Sequence, residues 1–489
     1  MNRTQLSPAR RAADRARLAG EVVDVLVVGG GLTGAGVALD AASRGLSVGL
    51  LEARDWAAGS SGRPAVLLGR PGSVPRTALR ERARLLRTTA PHLVRPVSLL
   101  QPLPTTGRQR AFRAVLSDVL ARDLPPARLL SRRATLTAVP GLRPDGVSGA
   151  VRGWDARVDG ARLTLAVVRT AAGYGARVLS RAQVTGLLRA GDAVVGGRVT
   201  DRTDGSTLAV RARSVVVATG GTGDLVPDEA RATVPVVQLV LPRAAVDGGD
   251  DGLVLPTPAG VLTVVPEDGR WVVSHPGPDV GAVLDALDRV LARPVPADAV
   301  AGVRVDRLPR GTSVGTPAPG LVVVAGPLVT SRRTAADAVD AATAGLPGVP
   351  PSRTAHLPLV GAHRWDDVRD RAPQLAAGTG LPRDAVDRLL YRHGDRVTDV
   401  LDLVRAGPSL GRPLPGAPEV LAAEVVHAVT AEAALHVDDV LTRRTPLSRS
   451  TPDGGAGSAA AVAALMAGPL GWDAARTARE VADPAATAG

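Results

Sequence analysis

The chain has 489 residues, of which 45% are hydrophobic and 22% charged, enough for two or three domains with a substantial apolar core. It contains no cysteine, which excludes disulfides, thiolate catalysis, cysteine-bound zinc and iron–sulfur clusters. The net charge of +12 is carried by arginine, because the chain has no lysine. A basic surface attracts phosphorylated substrates or anionic lipid headgroups. The arginines are scattered and aromatic residues are only 2%, so no nucleic-acid partner is expected.

The first 20 residues are rich in arginine and alanine and lack the apolar region of a secretory signal. We expect them to form a polar N-terminal tail or helix. No apolar run reaches the length of about 18 residues that a transmembrane helix needs. These features favour a cytoplasmic location.

The segment that follows predicts a βαβ unit. Val22–Val28 is an apolar, β-branched run typical of a buried parallel strand. A glycine cluster comes next, then a predicted helix over residues 33–44 and a second strand over residues 47–51.

The glycines of this unit predict a dinucleotide site. Gly29, Gly31 and Gly34 form the pattern G-x-G-x-x-G between a strand and a helix. This pattern permits a tight turn, close approach of the backbone to a pyrophosphate, and packing of helix on strand. Glu52 ends the second strand, where an acid binds ribose hydroxyls, and its charge argues against NADP. The pattern leaves the choice between NAD and FAD open.

The rest of the chain continues as alternating strands and helices, and then becomes helical. Residues 105–150 are interpreted as helices and loops, and residues 231–310 as a separate β-rich region. Beyond about residue 350 the pattern predicts amphipathic helices. Further elements are predicted at helix 76–88, helix 162–173, a strand pattern over residues 176–190, a hairpin leading into strand 214–218, strand 320–325 and helix 334–344.

Five segments in order resemble one family, the FAD-dependent, quinone-linked glycerol-3-phosphate dehydrogenases. The matching segments are Val23–Ser61, Leu85–Pro104, Gly153–Leu188, Val215–Gly221 and Gly411–Ser448. The resemblance implies an α/β fold with a Rossmann-like FAD-binding domain of the glutathione-reductase type. It divides the chain into the N-terminal tail (1–20), an oxidoreductase region (21–350) and a C-terminal helical domain with a disordered tail (351–489). The FAD-binding segments are then 21–104, 153–226 and 311–350, and the β-rich substrate region is about 231–310.

The resemblance also implies a reaction and a cofactor site. Glycerol 3-phosphate would pass a hydride from C2 to flavin N5 and become dihydroxyacetone phosphate, and electrons would go to a membrane quinone at the inner face of the cell membrane. The residues implied to bind FAD are Gly29, Gly31, Gly34, Glu52, Ser60, Ser61, Val184, Ala218, Thr219, Gly220 and Gly326.

The sequence departs from the family at the flavin-facing pocket. Where the family has Lys, His, Arg and Lys, the aligned residues are Val66, Gly69, Leu308 and Leu328. The arginine belongs to the family motif Gly-Leu-Arg-Pro-Leu, which is aligned here with the stretch "VDRLPRG". The second glycine of Gly-Gly-Lys-Tyr-Thr-Thr-Tyr-Arg becomes Pro327.

Other residues near these positions could replace the lost groups. Arginine binds phosphate bidentately but is no base at neutral pH. Arg70, Arg307 and Arg332 are nearby arginines, and His275 is either a substitute base or an exposed turn histidine. The candidate catalytic residues are therefore Arg63, His275, Arg310, Thr330 and Arg333.

Three hypotheses remain open from the sequence. The protein is an active FAD-dependent dehydrogenase acting on a small phosphorylated polyol, or a non-catalytic FAD-binding paralogue, or a remnant in which Pro327 blocks the flavin end. The other histidines are interpreted as packing or capping residues, and no metal site is expected.

Overall fold

The computed structural model describes residues 3–68, 75–104, 124–220, 225 and 233–482. Gly69, Arg70 and the expected tail after residue 482 lie outside the described residues. The described strands, in chain order, are β1 Val22–Val28, β2 Val48–Leu51, β3 Pro64–Val66, β4 Val94–Pro104, β5 Arg128–Ser131, β6 Val147–Asp159, β7 Arg177–Leu179, β8 Ala182–Ala190, β9 Ala193–Asp201, β10 Thr207–Val217, β11 Thr233–Pro242, β12 Gly252–Thr257, β13 Gly260–Glu267, β14 Arg270–Pro276, β15 Gly302–Pro309, β16 Ser313–Ala318, β17 Leu321–Ala325, β18 Pro413–Leu414 and β19 Ala417–Leu421.

The helices pack on the sheets and build the C-terminal part of the chain. Buried residues at spacings of three and four favour them, as in Ala459–Leu470, which buries Ala459, Val462, Ala463 and Met466. The described α-helices are Pro8–Gly20, Leu32–Ser43, Arg76–Arg84, Arg132–Ala138, Gly160–Gly173, Val280–Asp288, Ser331–Ala342, Trp365–Asp370, Ala372–Ala377, Arg383–His393, Val397–Ala406, Ala422–Ala431, Val437–Asp439, Leu447–Ser450, Ala459–Leu470 and Ala474–Ala482.

The first sheet is Rossmann-like: β17, β10, β1, β2 and β7 run parallel, and β16 is antiparallel to β17. Its strand order is β16-β17-β10-β1-β2-β7, and the antiparallel β8–β9 hairpin joins it through β10. Strand β1 lies centrally and is paired in parallel with β2 and β10, so that Val28 is opposite Leu51 and Val217. The four residues Val25–Val28 are buried, as the apolar run predicts. The predicted βαβ unit and the α/β fold are confirmed.

The second sheet is mostly antiparallel and forms the expected β-rich region. Its order is β15-β11-β14-β13-β12-β4-β6-β3, with β5 paired to β6. The sheet recruits β3 to β6 from earlier in the chain. The expectation of helices and loops over residues 105–150 is therefore wrong for β5 and for the start of β6. Strand β4 contains three prolines, which mask a strand pattern, yet it pairs with β6 along eleven positions.

The N-terminal helix packs against the first sheet. Ser7 caps it by accepting a hydrogen bond from the backbone N–H of Arg10 at 3.2 Å. Leu18 is fully buried, and Asp14 accepts a hydrogen bond from the backbone N–H of Val178 at 3.1 Å. Burial raises the pKa of Asp14, which Arg10 opposes from 2.8 Å. The first 20 residues thus include a helix with a buried face.

Asp55 joins the nucleotide-binding sheet to the C-terminal helices. Its carboxylate is 1% exposed and accepts hydrogen bonds from Arg443 Nε at 2.6 Å and from both terminal nitrogens of Arg444 at 2.6 and 2.8 Å. A parallel contact links Arg181 to Asp439 at 2.6 Å. These buried ion pairs fix how the C-terminal part sits against the sheet.

A second buried cluster surrounds Glu432. Arg162 binds both carboxylate oxygens, at 2.7 and 2.8 Å, and Arg169 adds a contact at 3.1 Å. His393 and His427 lie beside the same carboxylate, and ligand atoms of these three residues lie within 4.8 Å of one another, as in a metal site. Because two arginines already neutralise Glu432, a cation there would meet their repulsion, and we assign the cluster to domain packing.

Within the described residues, every helix is too short or too polar to span a lipid bilayer.

Replacing Asp55 tests the junction. Asp55→Ala leaves the buried Arg444 without its carboxylate and removes one of the three carboxylates that bind Arg443. The free energy of unfolding should therefore fall by about 3–5 kcal/mol in urea titrations. Asp384→Ala removes an exposed partner of Arg388 and should change stability little. Equal effects of the two substitutions would contradict the structural role of Asp55.

Stability should also fall in mild acid. Burial lowers the pKa of His427 to about 4 and that of His92 to about 3. Both histidines stay neutral in the folded chain and take up protons on unfolding below their ordinary pKa of about 6.5. Each should therefore reduce the unfolding free energy by about 1.4 kcal/mol per pH unit between pH 6.5 and its folded pKa.

The histidine contribution can be measured by urea unfolding from pH 7 to pH 4. His427→Gln should flatten the pH dependence by one proton, whereas His363→Gln, at an exposed position, should leave it unchanged. An unaltered slope in His427→Gln would contradict the assignment.

Candidate active site

A large cavity lies at the carboxyl ends of β1, β10 and β17. Its volume is 1260 Å³, above the range of about 300–1,000 Å³ for pockets that hold drug-sized ligands. The β8–β9 hairpin, the second sheet and residues 442–449 complete its walls. Open α/β sheets bind ligands at this edge, and the volume is sufficient for a dinucleotide.

The glycine turn forms the floor of the cleft. Gly29 has φ +111°, and a Cβ there would lie 2.5 Å from the carbonyl oxygen of Ala218. A Cβ on Gly34 would overlap the carbonyl oxygen of Gly29. A Cβ on Gly31 would make a tight contact with Ser61 Oγ at 3.1 Å, and Gly31 itself lines the cleft. The backbone here is exposed toward the cleft in the way that a pyrophosphate requires.

The helix Leu32–Ser43 directs its N-terminus into the same space. Gly31 is its N-cap and supplies no side chain. Ser61 Oγ accepts a hydrogen bond from the Leu32 N–H at 2.9 Å, and Leu32 and Thr33 line the cavity. Backbone N–H groups and the positive end of the helix dipole make this an anion-binding position.

Glu52 lies at the end of β2 and lines the cleft. Its carboxylate accepts hydrogen bonds from the backbone N–H of Gly30 at 2.6 Å and of Arg54 at 2.8 Å. Burial raises the pKa of Glu52, while these two bonds act in the opposite sense. The carboxylate is held in place, and its remaining lone pairs can accept hydrogen bonds from the ribose hydroxyls.

The other expected cofactor residues converge on this cleft. All of them except Gly34 line it, and Gly34 supports the turn from behind. The lining members are Gly29, Gly31, Glu52, Ser60, Ser61, Val184, Ala218, Thr219, Gly220 and Gly326.

The expected catalytic residues are placed differently, since none of the five is among the described residues that line the cavity. Arg310 is exposed, and Arg333 is an exposed helix residue that pairs with Asp337 at 3.1 Å. The hydroxyl of Thr330 donates a hydrogen bond to the carbonyl oxygen of Pro327 at 3.4 Å. Arg63 lies behind the wall, where burial lowers its pKa and Asp306 opposes that shift.

His275 lies away from the cleft, and the expectation of an exposed turn is wrong. It is 4% exposed and belongs to β14. Its Nε2 is 2.9 Å from Thr257 Oγ1. The neighbouring Ser274 instead bonds to Gln238, which lines the cleft, at 3.0 Å. Because side chains alternate along a strand, His275 is on the opposite side of the sheet from Ser274.

Two of the substituted positions, Val66 and Leu328, are part of apolar packing. Val66 packs against a cluster that includes Val97 and Leu99, and Leu328 packs on the main core. Arg332, a candidate replacement cation, binds both oxygens of Glu81 at 2.6 and 2.7 Å. These residues stabilise the fold around the cleft.

Strand β15 supplies cleft residues that the sequence interpretation missed. Leu308 does not line the cavity, whereas Arg304 and Asp306 do. Arg304 Nε is 2.8 Å from Asp306 Oδ2, and a terminal nitrogen donates to the Gly59 carbonyl oxygen at 2.6 Å. The stretch Gly302–Arg304 reads Gly-Val-Arg and keeps the glycine and arginine of Gly-Leu-Arg-Pro-Leu. Of these two positions, Arg304 and not Leu308 lines the cavity.

Two family models match most of this chain. The model of the family described as FAD dependent oxidoreductase matches residues 24–332. The chain belongs to this family. A second model, the C-terminal domain of alpha-glycerophosphate oxidase, matches residues 352–477. FAD is accordingly the cofactor of this oxidoreductase, and the glycine turn, the helix N-terminus and Glu52 fit it.

Named relatives match nearly the whole chain. A glycerol-3-phosphate dehydrogenase of Mycobacterium leprae (strain TN) is 38% identical, covering 98% of this chain and 90% of the relative. Glycerol-3-phosphate dehydrogenase 2 of Mycobacterium tuberculosis (strain ATCC 25618 / H37Rv) is 37% identical with the same coverage. Among solved structures, the glycerol-3-phosphate dehydrogenase from Bacillus halodurans complexed with FAD has a TM-score of 0.81 at 24% identity, covering 99% and 97% of the two chains.

A methyl group on Gly31 should test the pyrophosphate position. Gly31→Ala projects toward the cleft and meets only Ser61, so FAD affinity should fall at least tenfold while the thermal midpoint of the apoprotein stays unchanged. Gly20→Ala, with nothing within 4 Å, is the matched control. Unchanged FAD affinity by fluorescence titration in Gly31→Ala would contradict this placement.

Proposed function

We propose that the protein oxidises sn-glycerol 3-phosphate to dihydroxyacetone phosphate and transfers the hydride to FAD. The observation that carries this proposal is the Arg304–Asp306 pair in the wall of the cleft. It offers a phosphate-binding guanidinium and a proton-accepting carboxylate from one strand. The names of the relatives, matched over 98% of the chain, support the same substrate.

The residues proposed to bind each part of FAD are those that form the cleft. The glycine turn and the helix after Gly31 hold the pyrophosphate, Glu52 accepts the ribose hydroxyls, and Val184 contacts the adenine. FAD supplies a hydride acceptor when bound. Gly326 and Gln238 line the part of the cavity that β17 and the second sheet enclose, where we place the flavin end.

Arg304 is suited to bind the substrate phosphate. One of its five donors contacts Asp306 and one contacts Gly59, so three remain for an oxyanion. Arg307 lines the same wall and is held by Thr233 Oγ1 at 3.1 Å from its Nε. Arg304 and Arg307 of this edge strand take the place of the lysines that the family has elsewhere.

Asp306 takes the proton in this proposal. As the C2–H bond breaks and its electron pair leaves as hydride, the C2 hydroxyl loses a proton to the carboxylate and the C=O bond forms. None of the described residues that line the cleft is a histidine, and Glu52 is committed to the opposite end.

The electron acceptor in this proposal is a membrane quinone. Its support is the family resemblance, and the net charge of +12 favours approach to an anionic inner membrane surface. A non-catalytic FAD-binding role is less well supported, because Arg304 and Asp306 place a guanidinium and a carboxylate in the wall of the cofactor cleft.

Two substitutions separate binding from proton transfer. Asp306→Asn should lower kcat about 10²–10⁴-fold with FAD retained, as expected for loss of a base. Arg304→Gln should chiefly raise KM, at least tenfold, through loss of charge-assisted bonds. Both are measured by dye-linked steady-state kinetics with glycerol 3-phosphate.

Asp298→Asn serves as the charge-matched control, since Asp298 is an exposed residue of the same region. Full activity in Asp306→Asn would exclude Asp306 as the base.

A further inference from the structure

A second cavity of 410 Å³ lies behind the cofactor cleft. Its walls come from the paired strands β4 and β6, the turn between β13 and β14, the helix Arg383–His393, and residues 444–450. Arg449 lines the cleft and Asp159 lines the second cavity, and they form an ion pair at 2.8 Å. The two cavities thus share a wall but are separate.

Two arginines face each other in this cavity. Arg95 of β4 and Arg157 of β6 are direct partners in the strand ladder, and both line the cavity. Like charges at such positions destabilise a sheet. Glu267 neutralises Arg157 at 2.8 Å. Arg95 has no carboxylate within ion-pair distance in the described part of the chain, and its guanidinium instead stacks 3.6 Å from the ring centroid of Tyr391.

The other lining arginines are already paired. Each binds a carboxylate outside the cavity lining: Arg162 with Glu432, Arg388 with Asp384, Arg392 with Glu424, and Arg444 with Asp55.

The lining acids are also accounted for. Glu267 and Asp159 bind arginines, and Glu419 accepts a hydrogen bond from Ser450 at 2.6 Å. Asp268 is in an exposed turn. Arg95 therefore remains as a partly buried cation without a matching anion. Burial, followed by the charge of Arg157, lowers the pKa of Arg95, and both effects would be offset by a bound oxyanion.

We propose that Arg95 anchors a second binding site for a small organic molecule that carries a phosphate or carboxylate group. The aromatic face of Tyr391 holds the guanidinium plane, so its edge can bind an oxyanion bidentately. The volume of 410 Å³ leaves room for the rest of such a molecule. The exposed Asp268 carboxylate and the Ser450 oxygen, whose proton is donated to Glu419, can accept hydrogen bonds from hydroxyl groups elsewhere in the molecule.

Titration calorimetry of the FAD-loaded protein tests this site, with inorganic phosphate and acetate as probes at constant ionic strength. Because Arg304 is proposed to bind phosphate in the cleft, Arg304→Gln provides the background in which the second site is seen alone. Adding Arg95→Gln to it should weaken binding of the preferred probe at least tenfold. Adding Arg211→Gln, which removes an equal charge from an exposed strand position, should not.

The tighter probe identifies the anionic group. Binding that is unchanged by Arg95→Gln, or no binding of either probe in Arg304→Gln, overturns the proposal. If the Arg95→Gln chain does not fold, Arg95→Lys keeps the charge but loses the bidentate edge, and it should also weaken binding. Failure of glycerol 3-phosphate to reduce the flavin would refute the proposed function without affecting this result.

Discussion

The buried carboxylate of Asp55 holds Arg443 and Arg444 together, and much of the molecule depends on this contact. Three hydrogen bonds in a site that is 1% exposed link the loop after β2 to the C-terminal helices. An arginine left unpaired at such a depth would carry a large desolvation penalty, so the two parts cannot separate cheaply. Arg443 also lines the cofactor cleft, which means that docking of the C-terminal part completes the cavity.

The two ends of the cleft are built from different parts of the chain, backbone at one end and side chains at the other. The glycine turn must accept a pyrophosphate on bare backbone, and its contacts with Ala218 and with Gly29 itself leave no space for side chains. At the other end, the groups are side chains on an edge strand, and these can be exchanged without disturbing the backbone. Val66 and Leu328 joined apolar packing, while Arg304 and Asp306 remained on the wall.

The cofactor half could be predicted from sequence because its determinants are local. The spacing of Gly29, Gly31 and Gly34 and the position of Glu52 follow directly from strand, turn and helix geometry. Strands β4 and β6 were missed because prolines hide the alternation and the pairing partners are over 40 residues apart. The face of the sheet on which His275 lies depends on the register of β14. Without that register, the sequence does not show whether the His275 side chain points toward the cleft.

The sequence alone also does not show which residue of β15 lines the cleft, for a related reason. Two short arginine-containing patterns lie within one strand, and only the placement of β15 beside Gly59 distinguishes them.

The cleft is proposed to oxidise glycerol 3-phosphate. The most direct measurement is the flavin absorbance of the purified FAD-loaded protein on addition of sn-glycerol 3-phosphate without oxygen. Bleaching of the flavin band is the predicted result, and an unchanged band at saturating substrate would contradict the proposed oxidation of glycerol 3-phosphate.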